Sequence, residues 1–231
     1  MCWSPNADFV AGAVVGALGV ASFGRTALVG RRRDLALAAL PLLLGAHQLI
    51  ESVVWSGWDD GAVAGWAVTA WAVIAFPVLP AFVPLAVALA AGRGRRLRFV
   101  PFAAVGLAVS AVFAYALASG PITAEAVGHT MRYGVHALPV GRLIVAGYLF
   151  ATLGAFFTSP QPDIRLLGTV ATIGVLVCGA LWRYAFASTW CALAAVASLI
   201  IVRWSWRRSR SRGHGRGVAG VMARPPHRIV R

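Results

Sequence analysis

Long apolar runs dominate the chain and limit what it can fold into. Hydrophobic residues make up 59% of the sequence and charged residues only 12%, whereas a soluble domain has roughly half and a quarter. The sequence therefore predicts an all-α fold, a polytopic membrane helix bundle of about seven transmembrane helices, each apolar over roughly the 20 residues that cross a bilayer. The seven segments lie at about residues 9–29, 35–55, 63–91, 99–118, 140–157, 166–182 and 186–202.

Two of these segments carry residues that shape a helix. The first contains Gly12, Gly16 and Gly19, small residues at a spacing that lets a neighbouring backbone come close. The third is long and contains three prolines, so it is either one kinked span or two broken ones. We favour one span. The prolines are Pro77, Pro80 and Pro84.

The distribution of arginine predicts the orientation of the bundle. The net charge is +14 and every basic residue is an arginine. Arginines follow the first segment at 31–33, follow the third at 93–98 and fill the C-terminal tail, whereas the loop after the second segment carries Asp59 and Asp60. Because cytoplasmic loops are enriched in arginine, we expect the N-terminus outside, the C-terminus inside and an odd number of spans.

Composition divides the chain into two parts and indicates its partners. Residues 1–202 form the seven-helix transmembrane domain, and residues 203–231, rich in Arg, Ser, Gly and Pro, are expected to be a disordered cytoplasmic tail. The expected partners are the lipid bilayer and, through the tail, anionic lipid head groups, with no specific nucleic-acid binding. The Ala, Val and Leu bias and the absence of lysine indicate a G+C-rich, bacterial genome and thus a bacterial plasma membrane. The oligomeric state does not follow from the sequence.

The second segment holds the most unusual polar residues of the membrane region. Glu51 is the only acid inside a predicted span, and His47, Glu51 and Trp55 recur every four residues on one helix face, so His47 lies about 6 Å below the carboxylate. Gln48 lies beside them. A buried carboxylate needs a partner. Glu51 is therefore a neutral, hydrogen-bonded helix clamp, a ligand-binding or proton-handling group, or a metal ligand together with His47.

The loop at residues 120–139 has a polar pattern of its own. Its polar residues fall at helical spacing between Pro121 and Pro139, which predicts a short helix at the outer interface. This stripe either faces water and head groups or turns inward as a lid over the second span. Its ligand-binding candidates are His129, Arg132 and His136, and Glu125 and Tyr133 share the spacing.

Cys2 and Cys191 are predicted at the outer ends of their segments. In an oxidising compartment they could form a disulfide, and unpaired thiols or a metal or nucleophilic role are the alternatives. No HExxH, Walker or GxSxG motif occurs, so no catalytic residue, metal site or cofactor follows from the sequence.

Four stretches carry a family resemblance over nearly the whole chain apart from the tail. They are Met1 to Ser4, Pro41 to Trp55, His129 to His136 and Ser188 to Cys191. Together they resemble an uncharacterised family of bacterial multi-spanning membrane proteins that often begin Met-Cys-Phe-Ser and carry a Gln-Gln-x-x-Glu-like second span. Here Trp3 and His47 replace Phe and Gln. The resemblance implies the architecture and no activity.

Two kinds of function remain open. The first is a membrane protein with an outward-facing polar pocket that acts as a sensor, small-ligand binder or assembly factor. The second is a membrane-embedded hydrolase that acts on lipid or peptide at the outer leaflet, with or without a metal ion. The chain has a weak likeness to the seven-span hydrolases that include the alkaline ceramidases, but its last span lacks their His-x-x-x-His pair.

Overall fold

The fold is a helix bundle with one small hairpin. The computed structural model describes residues 4–127, 130–135, 141–181 and 191–222, without the side chains of 127, 130, 181, 191, 192 and 209–222. The predicted all-α class is confirmed. The helices are α1 (Pro5–Leu28), α2 (Leu35–Ala38), α3 (Leu40–Asp59), α4 (Gly65–Val73), α5 (Leu79–Ala91), α6 (Val100–Ser119), α7 (Gly141–Thr158), α8 (Pro162–Leu181) and α9 (Cys191–Met222), and the strands are β1 (Thr123–Val127) and β2 (Thr130–Gly134).

Within the described residues, six helical segments are long and apolar enough to cross a membrane. Large apolar side chains, among them Leu107, Phe150 and Leu176, lie exposed on their outer surfaces, as expected of helices that face lipid. The chain is therefore a multi-pass membrane helix bundle. The six segments are Pro5–Leu28, Arg32–Asp59, Gly65–Ala91, Arg93–Ser119, Gly141–Thr158 and Pro162–Ala180. The seventh predicted span begins in residues outside the described ranges and continues into α9.

Helices α1 and α3 pack antiparallel at backbone contact distance. A Cβ placed on Gly12 would lie 2.9 Å from the backbone nitrogen of Leu49, and one on Gly45 would lie 2.6 Å from the backbone nitrogen of Gly16. The close approach predicted for the glycines of the first segment therefore occurs, and α3 contributes a glycine of its own. This contact fixes the depth of every polar residue on α3 relative to α1.

We predict that Gly45→Ala lowers the free energy of unfolding by about 1 to 2 kcal/mol, because backbone must move to admit the methyl group. Gly16→Ala is the matched control on the facing helix, since a Cβ there meets nothing within 4 Å. The measurement is reversible unfolding in mixed detergent micelles. Equal effects of the two substitutions would show that the close α1–α3 contact is not what limits stability.

The third predicted segment is helical throughout residues 65–91. A π-helical turn, Ile74–Val78, contains Pro77 and joins α4 to α5. Irregular backbone at membrane depth needs replacement hydrogen bonds. Ser110 of α6 donates to the carbonyl of Pro77 at 2.6 Å, and Tyr148 of α7 donates to that of Ala75 at 2.9 Å. Neighbouring helices thus hold the interruption in place.

The predicted interfacial helix is wrong for residues 123–127 and 130–134, which form two antiparallel strands. Glu125 pairs directly with Arg132 across the two strands, and their side chains form a half-exposed ion pair. Alternate residues point to opposite faces of a strand, so Met131 and Tyr133 face the other way and pack on the bundle. A two-residue connection containing Gly128 favours a hairpin, and the helical spacing of the polar residues concealed this alternation.

The first residues of the predicted tail are helical and bonded to the bundle. Helix α9 continues past residue 202, and Arg208 donates from Nε and Nη2 to the carboxylate of Asp34 at 3.1 and 3.2 Å. Arg31 bonds the same carboxylate and also donates to the backbone carbonyl of Arg208 at 3.0 Å. Residues 203–208 therefore belong to the bundle, while residues 223–231 lie outside the described ranges.

A second set of contacts holds α9 to the rest of this end of the bundle. Trp204 donates from Nε1 to Gln161, and Gln161 donates to the carbonyl of Ala90 at 3.2 Å. Arg208 donates to that same carbonyl at 3.3 Å. We call this the arginine end of the bundle, because the connections at residues 29–34, 92–99 and 159–161 and the extension of α9 meet there. The opposite end, which β1 and β2 cover, is the hairpin end.

Candidate functional site

Three of the residues predicted for the site lie buried together on α3. His47, Gln48 and Glu51 are 6%, 1% and 0% exposed. The predicted face is buried because α1 packs along one side of α3 and α4 along another. Polar groups at this depth are retained only where other groups satisfy them or where they serve a function, so this turn of α3 is the candidate functional site.

Trp71 of α4 contacts Glu51 directly. Its Nε1 donates to Oε2 of Glu51 at 3.2 Å, and both side chains are fully buried. The ring of His47 lies 4.6 Å from the Trp71 ring at an angle of 32°. A carboxylate, an indole and an imidazole therefore form one connected group between α3 and α4.

The hairpin packs on this group at the hairpin end of the bundle. Tyr133 stacks on Trp71 with ring centroids 3.5 Å apart and planes within 7° of parallel. Met131 is 1% exposed and packs in a cluster with Val54 and Trp55. One indole thus bonds the buried carboxylate through its edge and supports the hairpin through its face. We call Glu51, His47, Trp71 and Tyr133 the indole site.

Asp8 is a second buried acid close to this level, and the sequence analysis missed it. The close contacts pair Gly19 with Leu42 and Gly12 with Leu49, and one more helical turn in this antiparallel register places Asp8 level with residues 52 and 53. Asp8 is fully buried. The first span was begun at residue 9, although Ser4 before Pro5 is a strong helix start, and Ser4 Oγ indeed accepts from Ala7 at 3.2 Å.

Two nitrogens near the indole site are buried without a hydrogen-bond partner among the described residues. They are Nδ1 of His47 and Nε1 of Trp55. An unsatisfied buried polar atom costs on the order of 1 to 3 kcal/mol, so such atoms indicate water, a ligand or a second conformation. Imidazole nitrogen can donate or accept, whereas indole can only donate.

The structure does not bring the loop arginine to this site. Arg132 pairs with Glu125 on the face of the hairpin opposite Tyr133. His129, His136 and Cys2 lie outside the described residues, as does the side chain of Cys191, so their roles and the disulfide stay predictions. No group of three His, Cys, Asp or Glu side chains in the described part of the chain is placed to hold a metal ion.

The bundle and the indole site define a class of multi-pass membrane protein in which a hairpin closes a buried polar group at one end. The chain belongs to a family of unknown function (DUF6629), whose model matches residues 1–216. The match extends beyond residue 202 into the arginine-rich segment that the resemblance left out, in agreement with the packing of residues 203–208. No curated protein matches the chain, and no solved structure does.

Proposed function

We propose that this protein is an outward-facing sensor that binds a small planar ligand at the indole site, with the hairpin as its lid. The observation that carries the proposal is the double role of Trp71, which bonds Glu51 and stacks on Tyr133. A ligand that changes the contacts of the Trp71 indole therefore also changes the stacking that holds Tyr133 and the hairpin in place. Such coupling is what converts binding into a signal.

The proposal includes the orientation of the protein in a bacterial plasma membrane. Seven spans would place the N-terminus and the hairpin outside and α9 inside. Support comes from the arginine end, where the connections after the first, third and fifth spans meet the extension of α9. Arginine in short connections is retained in the cytoplasm.

The side chains that cover Trp71 indicate the chemical class of the ligand. His47 lies against the indole, and Tyr133 occupies a face of it at the distance and angle of an aromatic stack. A planar ring that displaced Tyr133 would find the same face, with the carboxylate of Glu51 at the edge of the indole. We therefore propose a ring compound that carries a hydrogen-bond donor, for which the phenol of Tyr133 is the internal substitute.

The test is the thermal unfolding of detergent-solubilised protein with a panel of phenols, indoles and hydroquinones, and with cyclohexanol as the saturated control. We expect at least one ring compound to raise Tm in a saturable way. Glu51→Gln should weaken its binding about tenfold, because one of the two carboxyl oxygens that can accept from the ligand is replaced by an amide NH2 group. Tyr133→Ala should tighten binding, because the lid no longer competes.

Arg132→Gln is the matched control, since it alters the same hairpin on the face turned away from the indole. It should bind as the unmodified protein does. The proposal fails if no ring compound shifts Tm, or if Glu51→Gln and Arg132→Gln respond alike.

A further inference from the structure

At the arginine end, one face of α9 changes abruptly from apolar to basic. Val196 and Leu199 are 43% and 57% exposed, as expected of side chains that face lipid. One turn further on, the same helix face carries Arg203, and Arg207 follows it at the next turn. These two guanidinium groups therefore lie where acyl chains give way to lipid head groups.

Arg203 and Arg207 are incompletely neutralised. Nε of Arg203 and Nη1 of Arg207 both lie 3.3 Å from a single atom, Oδ1 of Asp163, and the two side chains are 58% and 60% exposed. Among the described residues, neither guanidinium group lies within ion-pair distance of any other carboxylate. Each guanidinium has five N–H donors, so most of their donors remain available on the exposed side.

An aromatic side chain lies on the same stretch of α9. Trp206 is 43% exposed, and the guanidinium of Arg25 from α1 lies 5.3 Å from its ring centroid. Tryptophan is enriched at the head-group level of membranes, and a guanidinium over an indole is a favourable cation–π contact. Exposed apolar surface, an interfacial indole and two under-neutralised guanidinium groups thus follow one another along one helix.

We propose that Arg203 and Arg207, flanked by Trp206 and Arg25, form a binding site for the phosphate of an anionic phospholipid in the adjoining leaflet. Arginine forks match phosphate oxygens in pairs, and the shared contact with one oxygen of Asp163 leaves most of the donors of both forks free. The site is local: it lies on the anchored turn of α9 and does not depend on the arginines further along the tail.

The experiment is native mass spectrometry of the full chain in detergent, titrated with phosphatidylglycerol and, separately, with phosphatidylcholine. We expect phosphatidylglycerol to bind in preference. The double substitution Arg203→Gln with Arg207→Gln should weaken it roughly 10- to 30-fold, the effect of two interfacial arginines. The double substitution Arg32→Gln with Arg33→Gln removes the same charge from exposed residues at the same end and should weaken it less than about threefold.

A third variant separates lipid binding from damage to the fold. Asp163→Asn breaks the same contacts between α8 and α9 as the double arginine substitution, yet leaves both guanidinium groups free for phosphate. It should bind phosphatidylglycerol at least as tightly as the unmodified chain. Loss of binding in Asp163→Asn, equal losses in the two double variants, or displacement of the lipid by millimolar inorganic phosphate would each overturn the proposal.

Discussion

Replacing Asp34 with alanine should lower the free energy of unfolding by about 3 kcal/mol, because the change removes the buried carboxylate that two partly buried guanidinium groups share. The Asp34 side chain is 4% exposed and accepts hydrogen bonds from Arg31 and from the fork of Arg208. These bonds tie the connection after α1 to the extension of α9. Reversible unfolding in mixed detergent micelles measures the effect.

Glu125→Ala is the matched control for this prediction. It also removes one acid from an arginine pair, but the side chains of Glu125 and Arg132 are about half exposed. Exposed pairs contribute less than about 1 kcal/mol, so this variant should unfold nearly as the unmodified protein does. If Asp34→Ala is as mild as Glu125→Ala, the extension of α9 is not held by this ion pair.

Replacing Glu51 should separate its structural role from its role in binding. Glu51→Ala leaves the buried Nε1 of Trp71 without its acceptor, and we expect a loss of about 1 to 3 kcal/mol. Glu51→Gln keeps an oxygen in reach of the indole, so its stability should stay close to that of the unmodified protein while binding of the ring compound weakens about tenfold. Thermal unfolding without the compound measures the change in stability, and thermal unfolding with the compound measures the change in binding.

Asp59→Ala provides the comparison on the same helix, because this acid is exposed at the end of α3. It should change neither stability nor binding. Should Glu51→Ala and Glu51→Gln both behave as Asp59→Ala does, Glu51 is neither a clamp between α3 and α4 nor part of a binding site.

The sequence predicted the helices well because hydropathy and length decide them. Residues 65–91 could be placed as one segment despite three prolines, since the apolar run is continuous. The hairpin could not be placed, because Glu125, Arg132 and Tyr133 satisfy helical spacing and strand alternation equally. Only the packing of Met131 on Val54 decides between the two. The anchored start of the tail was hidden for another reason: the acids that hold Arg203 and Arg208 are distant in sequence.

The candidate site was predicted in part. Glu51 stands out because an acid inside an apolar run has few explanations, and His47 and Gln48 followed from helical spacing. Trp71 gave no signal, because tryptophan in a membrane span is ordinarily an anchor and its bond to Glu51 joins two helices. Asp8 was excluded because the predicted span begins at residue 9, four residues after the start of α1, although Ser4 and Pro5 are a recognisable helix start.

We propose that the hairpin is an outward-facing lid that opens. The most direct measurement is cysteine labelling of intact cells with a membrane-impermeant maleimide, in a background with Cys2, Cys178 and Cys191 replaced by alanine. Arg132→Cys should react at once and Gly94→Cys only after permeabilisation. Met131→Cys, on the buried face of the hairpin that packs on the bundle, should react slowly but completely. A folded Met131→Cys variant that never reacts, or a Gly94→Cys variant that reacts from outside, would contradict the account.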